Sequence, residues 1–383
     1  MLNGPAWLPV YAQMPLTAAS GHGSRLVDED GNEWLDAYGG HAVASTGHCH
    51  PHVVAAIQRQ AAALIFYSTA VPHRLREELA AMIADRCPGD LSRVFFCNSG
   101  AEANENALGL ARKATGRRKV VSVAGGWHGR TVACLAVTDG EQYQAGASRA
   151  GMPLSEKIPF NDVEAMHAAV DESTAAVIVE PVQGLAGARD CSPEFLRAAR
   201  VACDRFGAAL IFDEVQCGVG RSGDFTAAET YRVMPDILTL AKGLASGVPI
   251  GAMVATRAIT GGLHPGDLGS TFGGGPIACA AGIATLEVIE REHLMENVKR
   301  VSARIREWGC RRLAPAGGGV QGLGLLLGLR LARPAAPVQQ SLFRRRVLTG
   351  TSSDPAVLRL LPPLNFSAAE ADLLLGVLDE VLA

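Results

Sequence analysis

The segment ILTLAKGLASGVPIGAMVAT (residues 237–256) carries one charged side chain, Lys242, among mainly aliphatic, alanine and glycine residues. Burying an unpaired ammonium costs several kcal/mol or strips its proton, so a lysine placed here needs a reason. A membrane helix with a stray lysine, a surface lysine on an apolar segment and a reactive amine are the three readings. Spanning a bilayer takes about 20 apolar residues in a persistent helix, and Gly243, Gly247, Pro249 and Gly251 interrupt this one. The choice between the other two depends on what chemistry the chain supplies elsewhere.

Three further stretches hold groups that do chemistry. ALIFDEVQCGVG (209–220) ends an apolar run on an acidic pair, Asp213 and Glu214. FFCNSGAEANENALGLA (95–111) reads as strand, turn and helix start. Its Ser99, Gly100 and Ala101 form a nest of backbone N–H groups suited to an anion. AGGWHGRT (124–131) offers a flat apolar face in Trp127, a polar edge in His128 and a carboxylate- or phosphate-binding fork in Arg130. Taken singly, each also reads as an ordinary turn cap, strand–glycine–helix turn or surface loop. HCHPH (48–52) has metal-ligand residue types, but no second His/Cys cluster follows it. It reads as a turn before a helix at 52–64, and no metal is expected.

The elements that must position these groups alternate. β-rich runs occur at 93–97, 119–123, 175–181, 208–214 and 236–241, with helical patterns at 101–115, 163–174 and 193–207. Apolar strands alternating with helices predict an α/β fold with a mostly parallel sheet covered on both faces. Ligands in such folds gather where strands end. A long helical region from 276 to about 313, strands near 321–331 and 357–364, and a last helix from about 368 predict a smaller α+β domain. The first 40 or so residues are expected to join it.

At 383 residues, 48% hydrophobic and 19% charged, the chain can bury a large core and divide in two. A net charge of -3 gives no electrostatic case for nucleic acid or an anionic membrane as partner. Nine cysteines without a CxxC pair suit a reducing compartment. No charge precedes Arg25, so neither a secretory nor a transit signal is read, and a cytoplasmic location is expected.

A phosphate nest, a flat ring, a carboxylate and a lone lysine after a strand, in that order, meet the needs of pyridoxal 5'-phosphate. The order SGAEAN, WHGRT, EPVQG, IFDEVQCGVGRSG, LAKGL, GSTFGGGP and LRLLPPLN resembles the class III pyridoxal-phosphate aminotransferases, from about Val27 to the C-terminus. The resemblance is strongest to the members acting on N-acetylornithine, ornithine and lysine-pathway amines. It implies fold type I, with a mostly parallel seven-stranded sheet flanked by helices in a large domain (46–290). A smaller α+β domain would be built from both termini (1–45 and 291–383). It also implies a homodimer with shared active sites.

Carried over by residue, the resemblance makes Lys242 the Schiff-base lysine and Asp213 the partner of the pyridine nitrogen. Ser99, Gly100 and Ala101 would hold the phosphate, with Ser270 and Thr271 reaching the other subunit's cofactor. Trp127 would stack on the ring, His128 would stand beside it, Val215 would press the opposite face and Gln216 would meet the ring hydroxyl. Arg130 would bind the substrate carboxylate distant from the reacting amine, and Arg359 the α-carboxylate of glutamate or 2-oxoglutarate.

The implied reaction moves the terminal amine of an ω-amino donor, N-acetylornithine first, to 2-oxoglutarate through a pyridoxamine phosphate form, a step of arginine biosynthesis. Ornithine, lysine derivatives and 4-aminobutyrate are alternative donors. A non-catalytic binding protein of the same fold would be expected to lose Lys242 or Asp213, and an aminomutase or racemase to lose the arginine pair; all four residues are present. The chain departs from the family pattern at Leu185, where relatives commonly carry a Glu that masks the α-carboxylate arginine. Leu268 and Gly275 are smaller departures, and Pro276 is suited to open the following helix.

Overall fold

The computed structural model describes residues 8, 10 and 13–383. The beginning of the 1–45 segment, namely residues 1–7, 9, 11 and 12, lies outside the described residues. Strands β1 (Ala18–His22), β2 (Arg25–Asp28) and β3 (Glu33–Asp36) open the chain as an antiparallel set. The central sheet follows, from β4 (Leu91–Cys97), β5 (Lys119–Val123), β6 (Glu156–Ile158) and β7 (Thr174–Val179). A short ribbon, β8 (Val182–Gln183) and β9 (Arg189–Asp190), separates these from β10 (Ala209–Asp213), β11 (Ile237–Leu240) and β12 (Gly251–Thr256). The seven strands run in the order β4-β12-β11-β10-β7-β5-β6. Only β12 runs against its neighbours.

Period-2 alternation explains why this sheet is covered on both faces. Leu210 and Phe212 of β10, Val177 and Val179 of β7, and Leu238 and Leu240 of β11 enter one core, shared with helix Pro193–Phe206. Ile211, Ile178 and Ile237, one residue out of phase, enter a second core against helix Gly100–Thr115. No residue of β7, β10 or β11 is exposed to solvent, as a parallel sheet between helices requires.

Toward the C-terminus, β13 (Gly319–Leu323), β14 (Leu326–Arg330), β16 (Gly350–Thr351) and β17 (Val357–Leu360) make a four-stranded sheet, and β15 (Val347–Leu348) pairs in parallel with β3. That pairing ties the start of the described chain to its end.

Two of the helices expected from the sequence differ. The helix expected over 163–174 stops at Ala169, because Asp171 Oδ1 accepts from Ser173 N at 2.8 Å and Thr174 Oγ1 accepts from Asp171 N at 3.0 Å, turning the chain into β7. The region 276–313 is two helices, Pro276–Arg291 and Leu294–Arg312, because His293 sits in the left-handed region at φ 50. Pro276 does open the first of them.

Among the described residues no helix is long and apolar enough to cross a membrane. The three histidines of HCHPH each face a carboxylate: His48 on Asp36 (2.7 Å), His50 on Glu292 (3.1 Å) and His52 on Glu287 (2.5 Å).

Candidate active site

The C-terminal ends of β4, β5, β7, β10 and β11 converge on a cavity of about 330 Å³. Asp213, the last residue of β10, is 3% exposed and lines it. Its Oδ2 accepts from Asn104 Nδ2 at 2.7 Å and faces His128 Nδ1 at 2.8 Å, while Oδ1 accepts from Val215 N at 3.1 Å. Asn104 is itself fixed, accepting from Thr239 Oγ1 and donating to the His128 carbonyl. A buried carboxylate is thus aimed by two side chains and a backbone N–H.

Lys242 follows β11 and lines the same cavity. Its backbone lies at φ 36, where a non-glycine residue is strained, and strain of this kind concentrates at functional sites. Burial pulls the Lys242 pKa down against the opposing pull of Asp213 and Glu180, and Arg359 pushes in the same direction as burial. The amine is therefore easier to deprotonate than an ordinary lysine.

Ser99 caps helix Gly100–Thr115, accepting from Glu102 N at 3.2 Å. The N–H groups of Gly100 and Ala101 are among those a helix start leaves without internal partners. A Cβ on Gly100 would stand 2.6 Å from Val215 Cγ1, so glycine is what lets Val215 pack this closely against the helix start. Trp127, His128, Val215 and Gln216 line the cavity as well. Trp127 packs edge-on against Tyr143 at 4.9 Å between ring centroids.

The remaining sequence candidates stand around this centre. Arg130 is exposed, its guanidinium 5.0 Å from the Trp127 centroid and 5.4 Å from that of Tyr143. Arg359 is buried behind Gly184 and donates to Gly184 O, Thr351 O and Tyr38 Oη. Ser270 Oγ accepts from Asn98 Nδ2 at 3.3 Å, at the cavity edge, and Thr271 is exposed beside it. Leu185 turns its carbonyl to Ser353 N at 3.0 Å.

The acidic pair is split. Glu214 points away from the cavity and accepts from Ala227 N (2.6 Å) and Ala228 N (2.9 Å) at the start of helix Ala227–Tyr231. Burial pushes its pKa up to about 8 from an ordinary 4.5, against those two hydrogen bonds. A raised folded-state pKa stabilises the fold below the unfolded value and loses that contribution as pH rises through the folded one. Relative to Glu214→Gln, the cofactor-free protein should lose stability from about pH 4.5 toward about 8, read as denaturation midpoints across pH. A pH-independent difference would contradict it.

Glu180 had no assigned role in the sequence, yet it lines the cavity at 6% exposure. It accepts from Trp127 N at 2.7 Å and Gly184 N at 3.1 Å, and burial raises its pKa. Its signal was the one that exposed Asp213, an acid directly after an apolar strand. Tyr38 and Asn104 were also missed: Asn104 lies inside the SGAEAN helix start but carries no charge, and Tyr38 follows β3, outside the central sheet.

Comparison with known proteins agrees with this geometry. The family model for class III aminotransferases matches residues 9–382. The chain is 42% identical to acetylornithine aminotransferase of Methanopyrus kandleri, over 97% of this chain and 95% of that one. The solved ornithine aminotransferase of Toxoplasma gondii superposes with a TM-score of 0.92 at 32% identity, covering 98% of this chain and 92% of that one. Taurine:2-oxoglutarate aminotransferase of Bifidobacterium kashiwanohense, solved with pyridoxal phosphate and glutamate, gives a TM-score of 0.91 at 25% identity over 98% and 94%. The chain belongs to the class III aminotransferases, a pyridoxal-phosphate-dependent family of fold type I.

Proposed function

We propose that this aminotransferase moves the terminal amine of N-acetylornithine to 2-oxoglutarate, giving glutamate. The observation that carries the reading is one cavity lined by an amine with a lowered pKa, a buried hydrogen-bonded carboxylate and an open helix N-terminus. The donor is preferred because relatives 42% and 43% identical over 97% of this chain are both acetylornithine aminotransferases.

The residues present fit the cofactor. Ser99, Gly100 and Ala101 line the cavity at the helix start, where the N–H groups of Gly100 and Ala101 suit a phosphate. Trp127 supplies the flat face, Val215 the opposing one, and Gln216 a polar group for the ring hydroxyl. Asp213 is placed to hold a protonated ring nitrogen, with His128 and Asn104 fixing its carboxylate. When bound, pyridoxal phosphate supplies an electrophilic carbonyl carbon for amines and an electron-accepting ring.

Lys242 Nζ then takes the proton from the amine-bearing carbon of the donor and returns one in the second half of the cycle. Burial suits it to this, because a lysine at its ordinary pKa would be a poor base at neutral pH. Arg130 is assigned to the donor's distant carboxylate and Arg359 to the α-carboxylate of the keto acid.

We also infer a homodimer. Exposed Ile65, Phe66, Tyr67 and Phe272 form an apolar patch next to Ser270 and Thr271, with Phe66 and Phe272 5.0 Å apart. This supports a second copy bringing Ser270 and Thr271 toward the first copy's phosphate. The division at 46–290 against 1–45 plus 291–383 is supported by the β3–β15 pairing. Thiols without disulfides support a cytoplasmic location.

Donor identity is tested by comparing amines with 2-oxoglutarate as acceptor. The kcat/KM for N-acetylornithine should exceed that for ornithine and 4-aminobutyrate by at least about tenfold. A faster reaction with either would replace the assigned donor.

A further inference from the structure

Arg359 is 5% exposed and carries a charge, yet none of its hydrogen-bond partners is a carboxylate. Nε donates to Thr351 O at 2.7 Å, Nη1 to Gly184 O at 3.1 Å and Nη2 to Tyr38 Oη at 2.8 Å. Leu185, the residue after Gly184, has no side-chain acceptor. Glu180 acts on the guanidinium only through its field, since its two oxygens hold the N–H groups of Trp127 and Gly184.

The three acceptors are not equivalent. Thr351 lies in β16, paired with the strand that carries Arg359. Gly184 is held through its N–H by Glu180 at 3.1 Å, and its carbonyl also accepts from Gly187 N (3.2 Å) and Ala188 N (3.3 Å). Both carbonyls are fixed backbone. Tyr38 is the side-chain acceptor, and its hydrogen bond can be exchanged without moving the chain.

Tyr38 is also held in place at its own backbone. Asp36 Oδ1 accepts from the N–H groups of Tyr38 (2.9 Å) and Gly39 (2.8 Å). The turn Gly39–Ala42 then runs wholly in the left-handed region, with φ of 56, 57, 68 and 65. His41 and Ala42 rarely adopt such angles, so the surrounding structure must impose them. The Tyr38 ring lies 4.8 Å from that of His41 and 5.5 Å from the Arg359 guanidinium.

We propose that Tyr38 is a positioning residue that sets the balance between the two substrates, holding Arg359 Nη2 as a neutral latch and releasing it to a carboxylate. The proposal rests on the reading above, in which the keto acid brings a carboxylate beside its reacting carbon and the amine donor brings none. With the donor bound, the hydroxyl keeps Nη2 paired. With the keto acid bound, the carboxylate takes Nη2. A neutral latch is easier to displace than a carboxylate, because a guanidinium pairs more strongly with a carboxylate, which can take it bidentately, than with one hydroxyl. This chain therefore favours the dicarboxylate more than a chain with Glu at position 185 would.

Tyr38→Phe keeps the ring, which packs on Gly350 where a Cβ would stand 2.0 Å from Cε2. The test compares this variant with the cofactor-loaded wild type in two ways. Binding of glutarate, an unreactive dicarboxylate, is measured by calorimetry, and kcat/KM is measured separately for the amine and keto-acid half-reactions. Glutarate should bind the variant roughly 2–10-fold tighter, since the competing hydrogen bond is gone. The amine half-reaction should slow by a similar factor while the keto-acid half-reaction holds or rises.

In Leu185→Glu the added carboxylate should weaken glutarate roughly tenfold or more. Unchanged or weaker glutarate binding in Tyr38→Phe, or an equal fall in both half-reactions, would make Tyr38 merely structural and overturn the latch. If wild-type protein converts no terminal amine, the assigned donor fails, and the glutarate comparison still decides the latch.

Discussion

Lys242→Ala should lower transamination by more than about 10⁴-fold, because in the proposed mechanism one substitution removes both the amine that holds the cofactor and the base that moves the proton. The fold should not suffer. Lysine and alanine carry the same Cβ, so the left-handed φ of 36 is equally strained in both. Burial already disfavours the ammonium at this site, so losing it removes a group the cavity solvates poorly. The cofactor-free variant should therefore unfold at an equal or higher denaturant concentration than wild type. Retention of more than about a hundredth of the activity would mean that another group moves the proton.

Asp213→Asn has the second largest expected effect, roughly 10²–10³-fold in kcat or more, the scale set by losing one preorganised electrostatic group. The substitution is nearly isosteric, so packing is preserved. The charge proposed to face a ring nitrogen is not. Asp213 Oδ2 receives Asn104 Nδ2 and faces His128 Nδ1, while Oδ1 receives Val215 N. An amide must set its NH₂ against one of these groups whichever way it turns, so the aim of the side chain is lost too. Steady-state kinetics and retention of cofactor through gel filtration measure the effect. Activity within tenfold of wild type would remove Asp213 from the ring nitrogen.

The parts of this structure that were legible in the sequence are those set by local pattern. β5, β7, β10 and β11 announced themselves as apolar runs because each is buried on both faces. β12 did not: GAMVAT follows the glycine- and proline-broken stretch after Lys242, and its place between β4 and β11 depends on long-range pairing. β6 is three residues at the sheet edge, too short for a pattern. The helix expected over 163–174 ran too far because its polar end is stopped by side-chain bonds of Asp171 and Thr174, which periodicity does not register.

The same division holds in the site. Lys242, Asp213 and the Ser99–Gly100 turn sit directly at strand ends, where sequence alone points. Glu180 gives an equal signal directly after β7. The pairing of Tyr38 with Arg359 joins residues 321 positions apart and depends on a left-handed turn that no motif marks. The absence of a carboxylate at Leu185 was readable; the neutral hydroxyl that replaces it was not.

The most direct measurement of the central claim follows nitrogen through the reaction. N-acetylornithine labelled with nitrogen-15 in its terminal amine is incubated with the cofactor-loaded enzyme and 2-oxoglutarate, and the products are weighed by mass spectrometry. The expected result is label in the glutamate formed with wild-type protein and none with Lys242→Ala. Label released as ammonia, or left in the donor while the keto acid remains unconverted, would contradict it.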